Sequence, residues 1–185
     1  EIGTNYSESE LFKINAWYQE TSVSSTFDPS KSVSVYMNAV TAKFKSGDVD
    51  NISSGTTGAW FPYTTDYVSY FWPKNGHLTF SAYSPADASG TAIFDKTSGL
   101  TITDFTVETA IKDQYDLLFS DRTYSKKSST ESSATSTLYD GVDINFHHAL
   151  SSIVVNAKTA ADYGTDAITV TDVKFINVYS SGCIN

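Results

Sequence analysis

Few residues of this chain could carry chemistry, and its three histidines are the first to consider. His147 and His148 are adjacent, and neighbouring side chains on a strand point to opposite faces, so they are poorly placed to bind one metal ion. We expect one of the two to be buried against a backbone partner and the other to be solvated. Residues 47–51 form the most oxygen-rich loop, but they lack the full twelve-residue pattern of a calcium loop with its terminal Glu. The sequence therefore predicts no metal site.

Catalytic motifs are also missing from the sequence. No Gly-x-Ser-x-Gly pattern marks a hydrolase nucleophile, and neither of the glycine-rich patterns that hold phosphates occurs. The serines lie mainly in predicted loops, where Ser is common for its turn chemistry. The single cysteine, Cys183, has no base near it in the sequence and no second cysteine with which to form a disulfide within the chain. We predict that the chain has no catalytic residues, binds no cofactor and is not an enzyme.

The charge balance narrows the possible partners. The sequence has 21 Asp and Glu against 12 Lys and Arg, which gives a formal net charge of −9. Nucleic acids and anionic membrane surfaces attract clustered Lys and Arg, so neither is an expected partner. No apolar run approaches the roughly 20 residues that a membrane-spanning helix needs. The chain starts at Glu1 without a leader and stops at Asn185 without a tail, so we expect it to be part of a longer precursor.

An aromatic segment, residues 60–72, is the most distinctive part of the sequence. It contains Trp60, Tyr63, Tyr67, Tyr70 and Trp72. Two interpretations are open. Large rings dominate the packing of protein cores, so these side chains could close the end of a β-sandwich. They could also form a platform on which the apolar C–H faces of a sugar stack, and Trp60, Tyr63, Tyr70 and Trp72 would then be the binding residues.

The strand that must position these rings follows directly. Apolar and polar residues alternate from Leu78 to Tyr83, which is the period of a strand with one buried face. Asn75 and Gly76 predict a tight turn before this strand. Pro85 is expected to end it, because proline has no N–H group for the strand ladder.

Similar alternation predicts further strands, near residues 12–18, 33–44, 100–105, 115–120, 142–150, 153–157 and 168–179. In the second of these the apolar positions shift by one residue at Ala39 and Val40, which predicts a β-bulge. Residues 124–137 are rich in Ser, Thr and Lys and predict an exposed loop. Because no window has helical periodicity, we predict an all-β fold, an antiparallel β-sandwich. Its expected core formers include Trp60, Trp72, Phe80, Phe146 and Leu150.

Three segments of the sequence, in this order, resemble the fimbrillin family, which comprises pilus subunits, tip proteins and related surface lipoproteins of Gram-negative anaerobes. The first runs from Trp60 through Tyr-Phe-Trp-Pro at residues 70–73 to the end of the predicted strand at Pro85. The second joins residues 116–120 to residues 142–153, with Phe-His-His-Ala-Leu at its centre. The third is the closing segment, residues 168–182. Their order and spacing are similar to those of the family from about Lys13 onward.

The resemblance implies a single transthyretin-like β-sandwich over residues 1–185, the N-terminal domain of a fimbrillin, with the second sandwich of the family absent from this chain. It implies a structural or adhesive subunit of a bacterial cell-surface pilus, a pilin or a tip adhesin, located extracellularly in the fimbrium at the outer membrane. Family precursors are lipoproteins, so membrane contact would be only through a lipid anchor.

The resemblance also implies how such a subunit assembles. After a protease removes an N-terminal strand, a neighbouring subunit donates a strand to the opened groove, which restores the ladder hydrogen bonds. The implied partners are other pilus subunits, together with a host or bacterial surface protein or glycan. The alternative is a glycan-binding module of a surface lipoprotein that uses the rings from Trp60 to Trp72.

Overall fold

The computed structural model of the chain describes residues 6–24, 26–47, 58–71, 73, 75–126, 142–158, 169–176 and 178–184. This part of the chain contains ten strands, one short 3-10 helix at Ile111–Asp113 and no α-helix. The strands are β1 (Phe12–Gln19), β2 (Ser34–Ser46), β3 (Gly58–Pro62), β4 (His77–Ser84), β5 (Thr91–Asp95), β6 (Gly99–Thr106), β7 (Leu118–Ser120), β8 (Thr123–Lys126), β9 (Phe146–His148) and β10 (Ser181–Ile184). The predicted all-β fold is confirmed.

The strands form two antiparallel sheets. The larger sheet has the order β3-β2-β1-β4-β7-β9, with β8 also paired to β4, and the smaller sheet has the order β10-β6-β5. β7 and β8 pair with successive parts of β4, since Leu118 lies opposite Ser84 and Lys126 lies opposite His77. β7 and β8 therefore form one interrupted strand beside β4. β9 pairs with β7, the first part of that interrupted strand.

The smaller sheet packs on one face of the larger sheet. Phe94 of β5 contacts the rings of Trp17 on β1 and Tyr83 on β4, with centroid distances of 6.4 and 6.0 Å. Tyr83 also belongs to a buried cluster with Ile102 and Phe105 of β6. These contacts between the two sheets confirm the predicted antiparallel β-sandwich.

β4 is the central strand, and it differs from its prediction in one respect. All eight of its residues are buried, whereas its alternation predicts only one buried face. Phe80 belongs to a core cluster on one face, while Thr79 and Ser81 are buried on the other face, which they share with Tyr83. The prediction of a half-buried strand is therefore wrong, because the smaller sheet covers the face that carries the small polar residues.

Three clusters of buried apolar side chains make up the interior. The first is centred on β1 and β4, the second lies between the two sheets, and the third joins β1, β2 and β4. Of the predicted core formers, Phe80 is buried. Trp60, Phe146 and Leu150 are partly buried and pack against these clusters. Trp72 lies outside the described residues.

The backbone confirms the predicted turn, strand end and bulge. Gly76 has a φ of +112°, and β4 ends at Ser84, directly before Pro85. Ala39 has a φ of +48°, and the register between β1 and β2 shifts beside it, from Ile14 opposite Val40 to Ala16 opposite Met37. An extra residue on β2 thus restores the apolar side chains to the buried face.

The C-terminal part of the chain differs most from its prediction. Residues 153–157 and 168–179 are predicted as strands, yet no strand occupies the described residues of either segment. β9 ends at His148 and β10 begins only at Ser181, and within the described part no neighbouring strand pairs with the intervening segments. The predicted strands at 115–120 and 142–150 are shorter than expected. The predicted loop at 124–137 begins inside β8, because β4 pairs with residues 123–126, and its remainder lies outside the described residues.

Candidate functional site

The predicted platform residues that the structure describes, Trp60, Tyr63 and Tyr70, lie at separate places. Trp60 lies on β3 and packs against Tyr6, Phe12 and Phe44, with centroid distances of 5.6, 6.3 and 4.8 Å. Its indole Nε1 atom is buried and has no hydrogen-bond partner within the described part of the chain. Tyr63 lies on the other face of the sheet, beside Lys43. Trp60 and Tyr63 therefore cannot stack on one ligand.

Tyr70 lies further along, where it contacts a strand residue. Its ring meets that of Tyr36 edge to face, with a centroid distance of 5.8 Å, and the Tyr36 hydroxyl donates a hydrogen bond to the carbonyl of Phe71. Burial, followed by the proximity of Tyr70, raises the pKa of Tyr36 above its ordinary value of 10.0. Phe71 is 81% exposed. Trp72 lies outside the described residues. Glycan binding by these rings stays a prediction.

A separate surface is built by β1, β2 and β3. The strand register places Lys13 opposite Thr41 and Lys43 opposite Phe61. Opposed residues project from the same face of a sheet, and so do residues two apart on one strand. We call this surface the lysine–tyrosine face. It consists of Lys13, Lys43, Lys45, Phe61, Tyr63 and Tyr67.

The rings of the lysine–tyrosine face are held in place. Tyr67 meets Tyr63 and Phe61 edge to face, with centroid distances of 5.3 and 6.4 Å. The Tyr67 hydroxyl donates a hydrogen bond of 2.7 Å to the carbonyl of Phe44. The backbone N–H of Tyr63 donates one of 2.7 Å to the carbonyl of Thr41. All three rings are partly exposed, so they are both fixed and accessible.

The lysines of this face have rings as neighbours. The Nζ atom of Lys43 is 4.5 Å from the ring centre of Tyr63, and that of Lys45 is 5.6 Å from the ring centre of Tyr67. Lys13 donates a hydrogen bond of 2.7 Å to the hydroxyl of Thr41. In the described residues, none of these three lysines forms an ion pair with a carboxylate. Among the described residues, their ammonium groups contact ring faces and a hydroxyl.

Sequence reasoning missed this surface. Lys43 and Lys45 stand two residues apart in a strand pattern, and this spacing indicates that they share a face. Lys13 joins them only through the register between β1 and β2, which the sequence does not display.

The adjacent histidines pair with carboxylates on either side of β7. His147 Nε2 lies 2.8 Å from the carboxylate of Asp121, and His148 Nδ1 contacts the carboxylate of Asp116. Their side chains are 50% and 49% exposed. The prediction of one buried and one solvated histidine is therefore wrong, because both side chains lie at the end of the edge strand β9, where each is about half exposed. The buried histidine is His77, whose Nε2 atom lies 3.2 Å from a backbone carbonyl.

A cleft of about 480 Å³ lies beside one of these pairs. The acidic and imidazole side chains that line it are those of Glu10, Asp116 and His148. Within the described residues the hydrogen-bond partner of His148 is Asp116, and no hydroxyl or thiol is hydrogen-bonded to its ring. The Tyr6 hydroxyl at the cleft wall is 2.6 Å from that of Ser84, and burial raises the pKa of Tyr6 above its ordinary value of 10.0. Tyr6 is therefore neutral at physiological pH.

The described part of the chain contains neither a cluster of metal ligands nor a membrane-spanning helix. Among the described residues, no three His, Cys, Asp or Glu side chains come close enough together to hold a metal ion. Residues 48–51 of the oxygen-rich loop lie outside that set. In the same part of the chain, no helix has the length and apolar character to cross a membrane.

The edges of both sheets and the segments after β9 are the remaining candidate surfaces. β3 and β9 end the larger sheet, and β5 and β10 end the smaller one, so each has one side without a partner strand in the described structure. Residues 151–158, 169–176 and 178–179 carry exposed apolar side chains, including Val154 at 76% and Ile176 at 80%. Clustered exposed apolar side chains of this kind mark interaction surfaces.

Comparison with known proteins connects these features to a family. A family profile described as fimbrillin-like matches residues 21–185, which include every described strand except β1. No curated protein and no solved structure shows significant similarity to the chain. The family consists of structural pilus subunits and is not enzymatic, and it implies a cell-surface, fimbrial location. The match covers most of the sequence, and the chain accordingly belongs to the fimbrillin-like family.

Proposed function

We propose that the chain is a structural and adhesive subunit of a bacterial cell-surface pilus that joins its neighbours by β-strand addition. The fimbrillin-like family supports the role of pilus subunit. The observation that carries strand addition is the exposed apolar surface of residues 151–158, 169–176 and 178–179. We call these residues the apolar C-terminal segments.

The apolar C-terminal segments have the composition of strands without strand partners in the described structure. Val154 is 76% exposed, Val173 is 52% exposed and Ile176 is 80% exposed. Val and Ile are enriched in strands because they pack well on a pleated surface. A strand from another subunit would cover these side chains and supply ladder hydrogen bonds to the backbone, which is the physical basis of strand addition.

The same proposal includes the route to the cell surface. The subunit would belong to a lipoprotein precursor at the outer membrane and would contact the membrane only through its lipid anchor. A second sandwich would follow this one in the whole protein. Neither feature involves catalysis, and the subunit would act through its surfaces alone.

The first test uses the native full-length protein, sheared from its producing cells and run unboiled and boiled on a denaturing gel. Polymers joined by strand addition resist detergent, because every added strand has a complete ladder of hydrogen bonds. We expect a ladder of bands without boiling and one band after boiling. A single band in the unboiled lane would contradict assembly by strand addition.

A pair of variants then locates the joint. Ile176→Asp places a charge on the exposed apolar surface, and burial of an unpaired charge under an added strand is strongly unfavourable. We expect this variant to fold as a monomer and to lose the ladder. Thr171→Asp is the matched control, since it adds the same charge in the same segment at an exposed polar position, and its ladder should remain. An intact ladder in Ile176→Asp would show that the apolar C-terminal segments are not the joint.

A glycan-binding module is the second candidate, and one observation favours it. Of the predicted platform residues, Tyr63 is partly exposed on a rigid face beside Lys43. Trp60 packs inside the aromatic cluster at Phe12 and Phe44, so it would not contribute to that platform.

A further inference from the structure

The lysine–tyrosine face concentrates positive charge on an acidic molecule. The chain has 12 Lys and Arg and a formal net charge of −9, yet three lysines project from this one face. Lys43 and Lys45 are exposed, and in the described residues neither forms an ion pair. The carboxylate of Asp66, beside Tyr67 in the sequence, accepts the backbone N–H of Tyr67 at 2.7 Å and forms no ion pair with a lysine among the described residues. The face is therefore able to gain an anionic partner.

The rings beside these lysines favour an anion that also has apolar surface. Phe61, Tyr63 and Tyr67 are partly exposed and are fixed by edge-to-face contacts. Fixed aromatic rings present apolar area at little cost in conformational entropy. A ligand that fits this face carries both negative charge and flat apolar C–H surface. A sugar ring with a carboxylate combines the two.

Other polyanions fit the face less well. Nucleic acid carries a phosphate at every nucleotide and is bound through extended clusters of Lys and Arg, whereas this face has three lysines and no arginine. An acidic peptide that added to the sheet edge would need free ladder groups on β3. The end of this edge is already occupied by the chain that follows β3, since the N–H of Val68 donates to the carbonyl of Pro62 at 2.8 Å and Tyr63 bridges to Tyr67.

We propose that the lysine–tyrosine face binds an acidic glycan of the uronic acid class. The lysine ammonium groups would pair with carboxylates of the glycan, and the rings of Tyr63 and Tyr67 would pack against its sugars. Lys43 and Lys45 are separated by roughly 7 Å along β2, which suits charges repeated along a polymer. Such binding would let the subunit attach to an acidic polysaccharide, and it does not depend on how subunits join.

The test measures binding of oligogalacturonate to the full chain, with its methyl ester as a neutral ligand of the same sugar backbone. We expect oligogalacturonate to bind, the ester to bind at least about tenfold more weakly, and the affinity to fall as salt is added. Equal binding of acid and ester would overturn the proposal, and so would no binding of either ligand.

Variants separate this face from the general charge of the protein. Lys43→Gln with Lys45→Gln should weaken binding at least about tenfold, because two ion pairs with the ligand are lost. The matched control is Lys112→Gln with Lys174→Gln, at lysine side chains that are 83% and 78% exposed and lie outside the face. The control should bind like the unchanged chain. Equal loss in both double variants would overturn the assignment to this face.

Two further measurements complete the test. The first is binding by Tyr63→Ala, which should be severalfold weaker than binding by the unchanged chain. The second is the thermal unfolding temperature of each lysine variant, which should stay near that of the unchanged chain. If the lysine variants lose affinity for oligogalacturonate and Tyr63→Ala does not, the proposed role of the rings is overturned. Stronger competition by polyglutamate than by oligogalacturonate would assign the face to acidic peptides and would also overturn the proposal. The gel ladder reports on assembly separately, so failure here leaves the pilus proposal in place.

Discussion

Gln19 illustrates how a single buried polar side chain organises a loop of this protein. It is 1% exposed at the end of β1, and its amide donates hydrogen bonds to the carbonyls of Asp28 and Ser32 at 2.8 and 3.2 Å. Its carbonyl oxygen accepts the backbone N–H of Asp28 at 2.7 Å. An unpaired buried amide costs about 1–3 kcal/mol, so complete pairing is what makes this burial possible. One residue thereby fixes the loop between β1 and β2.

Asp95 gives a prediction about acid stability. Its carboxylate accepts the backbone N–H groups of Ser98 and Thr97, each at 2.8 Å, at the turn between β5 and β6. These bonds favour the charged form and lower the pKa of Asp95 below its ordinary value of 3.8. A lowered pKa means that the folded state binds this proton less readily than the unfolded state. The stabilisation is therefore present above about pH 4 and is lost as the pH falls through the lower folded value.

The measurement is urea unfolding of Asp95→Ala and the unchanged chain at pH 7 and at pH 3. We expect the variant to be less stable at pH 7, with a smaller loss of stability on acidification. Asp95→Asn is the control, because its amide oxygen still accepts hydrogen bonds but does not titrate. Identical acid sensitivity in all three proteins would show that Asp95 does not contribute.

At the scale of elements, the bulge in β2 leads to a prediction that reverses the usual rule. Glycine in a strand normally costs roughly 0.5–1 kcal/mol relative to alanine. Ala39, however, has a φ of +48°, and this left-handed conformation costs an L-residue roughly 1–2 kcal/mol. Ala39→Gly should therefore leave the free energy of unfolding unchanged or raise it by up to about 1 kcal/mol.

Ala59→Gly on β3 is the comparison, since Ala59 has no positive φ and sits at an ordinary strand position. It should lower the free energy of unfolding by roughly 0.5–1 kcal/mol. The midpoints of urea unfolding of the two variants, compared with that of the unchanged chain, measure these changes in stability. A loss in Ala39→Gly as large as that in Ala59→Gly would exclude strain at the bulge.

The same elements show what sequence reasoning can and cannot reach. The local sequence predicts β1, the turn at Gly76 and the bulge at Ala39, because the alternation of apolar residues and the backbone preferences of turn residues depend only on neighbouring residues. It missed the burial of Thr79 and Ser81, since that depends on a second sheet formed by residues far along the chain. β3 and β5 were also missed, because strands of five residues contain too little alternation to stand out.

β6 and the lysine–tyrosine face show the same limit. Ile102 and Phe105 are both buried despite their odd spacing, because Asp104 has a φ of +56° and turns the strand between them. Nothing in the local pattern identifies that residue. For the face, Lys43 and Lys45 are related by strand spacing, but the addition of Lys13 requires the register of β1 with β2. Side chains that meet across strands are set by tertiary pairing.

At the scale of the whole molecule, position within the sheets predicts local stability. β1 and β4 are paired on both sides, and all of β4 is buried, whereas β3 and β5 are edge strands. Amides of strands that open only on global unfolding exchange most slowly with solvent. We expect hydrogen exchange in residues 78–82 to be at least about tenfold slower than in residues 59–61 and 92–94, measured by mass spectrometry of proteolytic fragments. Equal rates would show that the sandwich opens as one unit.

The central place of β1 also constrains the order of events when the chain is made and exported. Lys13 pairs with Thr41 of β2 on one side and with Tyr83 of β4 on the other. β1 therefore completes its pairing only when β4, from the middle of the sequence, is available. Loops of that length close slowly compared with local hairpins. As the chain emerges from its N-terminus, β1 and β2 can form a hairpin first. The side of β1 that faces away from β2 then has no partner strand until β4 has emerged. If the subunit joins its neighbours by strand addition as proposed, this bare edge is open to premature pairing until residues 77–84 have emerged and paired with β1.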